Sequence, residues 1–263
     1  MKTIIYIALI SILFTSCETV IDIDLNSTDS KIVIEGSITN QPGPYTIKIA
    51  QTTDYFIPSN YPAIQNALVN ISDDEGNFET LIDVEPGIYQ TTSIQGTTGR
   101  TYNLHISIDD QEYTASSYLP PITPIDSLAY FDSPFSPHNS GEGNYRVSCY
   151  FHDNENEENY YRFKLYRNSV LSEKFYLLDD QLQNGRDIDY GRLQDEIELN
   201  DTIVVELLNI DEGIYNYFNT LSSIVGGGGM SSSIPANPNS NISNGALGFF
   251  GAYSFTRDTI IIN

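Results

Sequence analysis

The chain of 263 residues has no tryptophan, two cysteines, two methionines and three histidines, and it sets only 12 lysines and arginines against 35 aspartates and glutamates. Each shortage excludes something. Two cysteines cannot build a disulfide framework, and no Cys or His spacing supports a zinc site. Without tryptophan the usual platform for stacking sugar rings is missing, and 19 tyrosines are left to substitute for it. A net charge of −23 argues against nucleic acid, because a polyanion is repelled where it would need to release counterions. The same charge keeps the body off an anionic membrane surface unless a covalent group holds it there. The three histidines, His105, His138 and His152, come without a Gly-x-Ser-x-Gly elbow, so a serine nucleophile lacks its setting. The run Gly226 to Gly229 lacks the lysine of a phosphate cradle and reads as a connector. What is present, 40% hydrophobic and 12% aromatic residues, is enough apolar material for a packed body.

Met1 to Ser16 reads as a signal peptide, with Lys2 as a short basic start and an apolar run from Ile4 to Phe14. That run is too short to span a hydrocarbon core, which needs roughly 20 residues. It ends in Phe14-Thr15-Ser16-Cys17, which resembles the lipobox of bacterial lipoproteins. The resemblance implies cleavage before Cys17, acylation of its sulfur and new amino group (palmitate among the chains), and stable anchoring to a membrane. Cleavage removes Lys2 and no acid, leaving a body of about −24. Glu18, Asp22 and Asp24 loosely resemble the acidic export signal of Bacteroidota surface lipoproteins. The expected place is the outer membrane, lipid-anchored, with the body on its surface or its periplasmic side. Cys149, then without an intramolecular partner, reads as a buried and inert thiol.

Beyond a tether over residues 17–29, period-2 alternation dominates, as half-buried strands require. Strands are expected at Lys31–Ile38, Tyr45–Ile49, Ala67–Ile71, Phe78–Val84, Ile88–Tyr89, Thr101–Ile108 and Glu112–Tyr118, with hairpin tips at Asp73–Asn77 and Asp109-Asp110. This spacing suggests an immunoglobulin- or transthyretin-like β-sandwich over residues 30–119. The Gly-Ile-Tyr segment after an Asp/Gly hairpin resembles carboxypeptidase-regulatory-like modules. Three prolines in Leu119–Pro124 mark a boundary. Past them, strands are expected at Ile125–Phe131, Tyr145–Phe151, Tyr160–Tyr166, Lys174–Leu178, Thr202–Leu208 and Tyr253–Ile262. Asp211 is placed to cap one helix near 212–225, whose Ile214, Tyr217, Phe218, Leu221, Ile224 and Val225 share a face. The fold class is therefore mainly β, a sandwich followed by a second β-rich domain over residues 120–263 with one helix.

Candidate chemistry is sparse. With 35 acids, a carboxylate pair for glycoside hydrolysis could arise anywhere, so the acids alone carry no information. The run His152–Asn159 is rich in oxygen donors, and Asp153, Glu155 and Glu157 are the candidates for weak Ca²⁺ binding. It lacks the spacing and central glycine of an EF-hand, and a solvated hairpin tip is the alternative. Asp73–Asn77 reads the same way. No other cofactor and no catalytic residue is expected, and the chain is read as a non-enzyme.

The segment Pro235 to Tyr253, PANPNSNISNGALGFFGAY, resembles the C-terminal signature of a Bacteroidota lipoprotein family known only as domain of unknown function 4249. The N-terminal pattern agrees with it: Cys17, Val20–Leu25, Ile32–Gly36 and Gly43-Pro44-Tyr45. The resemblance implies association with a TonB-dependent outer-membrane receptor, as an accessory or binding component. A surface adhesion or structural envelope protein is the alternative. In the signature, Asn241, Asn244, Gly245 and Gly248 suit tight turns, and Leu247, Phe249 and Phe250 would plug the segment into a core. It is then either a closure motif or a contact loop, and in the second case Asn237, Asn239, Asn241 and Asn244 are the binding candidates.

Overall fold

The computed structural model describes residues 30–53, 61–133, 145–226 and 237–263. The signal segment, Cys17, the tether, His138 and the stretch from Gly227 to Pro235 with Ala236 lie outside them. Residues 31–263 cluster as one compact unit. No helix among the described residues is long and apolar enough to cross a membrane.

Eight strands occupy the first half: β1 (Ile32–Thr39), β2 (Thr46–Gln51), β3 (Leu68–Asp73), β4 (Phe78–Thr80), β5 (Ile82–Glu85), β6 (Ile88–Gln90), β7 (Thr101–Ile108) and β8 (Gln111–Tyr118). After the proline segment come β9 (Ser127–Asp132), β10 (Tyr145–His152), β11 (Tyr160–Arg167), β12 (Val170–Leu171), β13 (Tyr176–Asp179), β14 (Asp187–Ile197) and β15 (Thr202–Ile210). A helix, α1 (Glu212–Val225), and a 15-residue strand, β16 (Leu247–Ile261), complete the chain.

The strands form three sheets. A nine-stranded sheet runs β12-β11-β15-β16-β1-β2-β6-β5, with β13 also on β11; the others are β4-β3-β7-β8 and β14-β10-β9. Strand β16 joins the two halves. Its start pairs in parallel with β1, from Val33 opposite Leu247 to Thr39 opposite Tyr253, and its end pairs antiparallel with β15. One core lies between β4-β3-β7-β8 and the β1-β2 side of the long sheet, built on Ile34, Ile47, Ile71, Tyr102, Leu104 and Phe250. A second lies between β14-β10-β9 and the β11-β15 side, with Cys149, Phe151, Phe163, Tyr190 and Leu207 inside. Helix α1 covers the opposite face of that sheet region, packing Ile214, Tyr217 and Phe218 against Leu208, Phe249 and Phe255.

These two sandwiches agree with the expected mainly β sandwich class, and among the described residues α1 is the one α-helix. Asp211 caps the helix as its sequence position suggested, its Oδ1 accepting from the Ile214 N–H at 2.8 Å. Three local readings need correction. Phe78–Val84 is not one strand: the buried Leu81 turns inward, its N–H donating to Val69 O, and the chain passes there from one sheet (β4) to the other (β5). The apolar residues Phe78, Ile82 and Val84 that suggest a strand are exposed, and Glu79 and Leu81 are buried instead. Strand β14 leaves no clear period-2 signal in the sequence, because Gly191 and irregular pairing with β10 interrupt its alternation. The last strand begins at Leu247, six residues before its expected start, so Phe249 and Phe250 are consecutive strand residues on opposite faces.

Candidate functional site

The β7–β8 hairpin turns at Asp109, whose φ of 52° is the left-handed conformation aspartate tolerates. Tyr102, Leu104 and Ile106 alternate into the core, which sends Asn103 and His105 outward, with Thr114 and Ser116 outward on β8. In register, Asn103 faces Ser116 and His105 faces Thr114.

The family-like signature segment closes the free edge of β8. Ser243 N–H donates to Thr114 O at 2.8 Å, Thr114 N–H donates to Ser243 Oγ at 2.7 Å, and Asn241 Nδ2 donates to Ser116 O at 3.4 Å. Farther along the same edge, Asp211 Oδ2 accepts from Tyr118 N–H at 3.0 Å and from the Ser117 hydroxyl. An edge strand is thereby satisfied without another strand. The plug is Ile242, which is buried in the first core together with Phe250 and Ala246. Between residues 240–243 and the outward face of β7 and β8 lies an open cleft of about 590 Å³. Its lining includes Asn103, His105, Thr114, Ser116, Ser240 and Ser243.

The four asparagines proposed from sequence have different fates. Asn241 is half-buried and committed to structure: its Oδ1 accepts from Phe250 N–H at 3.0 Å while its Nδ2 donates to Phe250 O at 2.7 Å. Asn244, at φ 57°, starts the tight turn with Gly245 and donates to Gln111 Oε1 at 2.9 Å. The backbone N–H of Asn239 donates to Thr220 Oγ1 on α1, and Asn237 is exposed. Only Asn241 lines the cleft. Asn103 and Ser116, which sequence did not single out, carry the outward polar groups there; their only sequence signal is that they sit at alternate outward positions.

The three Ca²⁺ candidates are not brought together. Asp153 is fully buried, accepting from the Tyr161 hydroxyl and from Gly185 N–H, whereas Glu155 and Glu157 are exposed. Among the described residues no group of three or more His, Cys, Asp or Glu side chains is placed to hold a metal. Asp73 likewise organises its own hairpin tip, accepting from the N–H groups of Glu75 and Asn77 and pairing with Arg100 at 2.7 Å.

Other acids are spent on structure too. Glu79, buried at 8% exposure, accepts from the hydroxyls of Thr92 and Ser93 and from the N–H groups of Thr92, Ser93 and Ile94. Burial opposes its charge, but the hydrogen bonds prevail and hold its pKa down at about 2. His105 pairs with Glu112 at 2.8 Å and His152 with Asp187 at 2.7 Å, and neither ring hydrogen-bonds a serine, threonine or cysteine among the described residues. Cys149 is fully buried, and burial pushes its thiol up to about 12, so no thiolate nucleophile forms near neutral pH.

A structure of the chicken CNTN1 FN1-FN3 domains is similar to this chain at 10% identity and a TM-score of 0.24, over 67% of this chain and 57% of that one. The chain thus spans little more than half the length of that structure, and the sandwich assignment rests on the strand pairing itself. The comparison with curated proteins finds no match. Residues 18–259 match the family described as "Domain of unknown function (DUF4249)", to which the chain belongs.

Proposed function

We propose that this protein is a lipid-anchored outer-membrane component of a Bacteroidota-type envelope, a non-catalytic accessory or binding partner of a TonB-dependent receptor system. The observation that carries the reading is Phe14-Thr15-Ser16-Cys17 at the end of an apolar run too short to span a bilayer. The receptor association rests on the resemblance to receptor-associated lipoproteins. Support for a binding role comes from the chemistry of the body. Its buried acids and the signature residues Asn241 and Asn244 serve hydrogen bonds within the fold, the described histidines His105 and His152 have carboxylate partners, and an open cleft remains. A body of about −24 stands off its own anionic bilayer, so a covalent anchor is what would keep it there.

The test has two parts. Labelling cells with a palmitate analogue should tag the protein, and Cys17→Ala should lose both the tag and membrane retention; a variant that stays on the membrane overturns the anchor. Extraction in mild detergent should co-purify a β-barrel receptor. Extracts without any barrel overturn the accessory role and leave adhesion or envelope structure in its place.

A further inference from the structure

We infer that the cleft between the β7–β8 hairpin and residues 240–243 binds a neutral, hydroxyl-rich chain, a segment of uncharged polysaccharide. This names a ligand class for the binding role proposed above and rests on that reading.

Four observations lead there. First, the cleft presents hydrogen-bonding groups that the fold does not use. Among the described residues, neither the amide of Asn103 nor the hydroxyl of Ser116 has a hydrogen-bond partner, although both line the cleft and face each other across the two strands. One step along the hairpin, His105 faces Thr114, and its Nε2 is held by Glu112 at 2.8 Å. In the neutral ring Nε2–H donates to Glu112, which leaves Nδ1 as an acceptor. The array therefore offers amide donors, an amide oxygen, a hydroxyl and a ring nitrogen. Ligands whose every group both donates and accepts, as sugar hydroxyls do, match such a mixture.

Second, the charges select against ions. No lysine or arginine lines the cleft, and a chain of −23 repels anions. The neighbouring carboxylate, Glu112, is already engaged by His105. Third, more of the cleft's lining surface is apolar than polar, which suits the C–H faces of sugar rings. The cleft is open to solvent.

Fourth, an extended peptide lacks the place it would need. Strand addition requires a free edge, and the edge of β8 is occupied by Ser243, Asn241 and Asp211. No aromatic ring lines the cleft, so the stacking that tightens many sugar sites is missing, and affinity in the millimolar range is expected.

Ligand-observed saturation-transfer NMR detects binding this weak. The full chain in detergent is mixed in turn with maltoheptaose, cellohexaose, xylohexaose, an oligogalacturonate and an extended Ser/Thr-rich peptide. Transfer is expected to at least one of the three neutral sugars and to neither the oligogalacturonate nor the peptide. Asn103→Ala and Ser116→Ala should each weaken it about three- to tenfold, the loss of one or two hydrogen bonds, and Thr114→Lys, which fills the cleft, should abolish it. Unchanged melting temperatures will show that these outward-facing variants fold.

Transfer to none of the neutral sugars, transfer only to the acidic sugar or the peptide, or transfer untouched by Asn103→Ala and Ser116→Ala overturns the inference. Failure of the chain to co-purify with a barrel while sugar transfer persists is a failure of the receptor role alone.

Discussion

The two sandwiches share a strand but treat the outside of their sheets differently. In the C-terminal half, α1 lies on the outer face of the long sheet, so β15 is covered on both sides and is buried continuously from Val205 to Ile210. That second layer takes a charge with it. Arg162 is half-buried beneath the helix, and burial lowers its guanidinium to about 10. It sits 3.6 Å from the centre of the Phe218 ring and 5.8 Å from that of Phe175, in cation–π contact, and its Nε has no hydrogen-bond partner. In the N-terminal half the outer face of β4-β3-β7-β8 has no covering helix, and its β7 and β8 strands alternate strictly with polar residues outward. Buried charge there is carboxylate, held by loop N–H groups and one arginine. A covering helix fills a face that a ligand would otherwise use. The cleft accordingly lies in the half whose outer sheet is bare.

The largest expected effect tests whether the halves are one cooperative body. Gly248 lies at φ 92°, and a Cβ there would sit 2.0 Å from Ile34 O, a backbone atom that cannot move aside. Gly248→Ala should cost about 3 kcal/mol or more. Because β16 pairs with both β1 and β15, urea unfolding should show a single lowered transition by helix circular dichroism and by tyrosine fluorescence alike. Two separated transitions would make the sandwiches independent.

A smaller effect contrasts the buried acids of the two halves. Glu79→Gln should cost about 1–3 kcal/mol near neutral pH, the range for a lost charge-assisted network. Glu79 titrates at about 2 in the fold against an ordinary 4.5, so its contribution is complete above 4.5 and is lost as pH falls through about 2. The deficit of the variant should shrink across that window. Asp180, near-fully buried in the other half, has its pKa raised chiefly by burial. Its sign is opposite: its stabilisation is present below the ordinary 3.8 and is lost as pH rises through the folded value, so Asp180→Asn should gain on the parent over that rise. Parallel pH profiles of the two variants would remove the contrast.

The smallest effect concerns the edge. Asn241→Ala removes two bonds to Phe250 and one to Ser116 and should cost about 1 kcal/mol, since the segment is partly solvated. Amide exchange should quicken at Phe250 and Thr114 while the core amides of β15 stay protected. Uniform acceleration would mean that the signature supports the whole body and not this edge.

How far the fold was legible follows from where the information lies. The β7–β8 hairpin could be read almost residue by residue, because Tyr102, Leu104 and Ile106 alternate with polar residues and the turn residues are local. The helix could be read from Asp211 and the apolar spacing after it. Strand β14 and the crossing at Leu81 could not, because a bulge and a change of sheet both depend on what lies opposite. The cleft was illegible for the same reason. Asn103 and Ser116 are ordinary outward strand residues until Ser243, 129 positions beyond Thr114, is laid beside them. Conversely, Asn241 looked like a contact residue and proves to be a brace for Phe250.

The sequence by itself determined the shortage of basic, sulfur and tryptophan chemistry, the β alternation, the single helix with its cap, and the family signature at the chain's end. Each is a property of composition or of residues close along the chain. Tertiary structure alone decided that β1 and β16, more than 200 residues apart, run parallel as one seam, that Asp153 turns inward away from Glu155 and Glu157, and that a neutral cleft opens on one bare face. Pairing and burial depend on which distant segments meet, and no local pattern encodes that meeting.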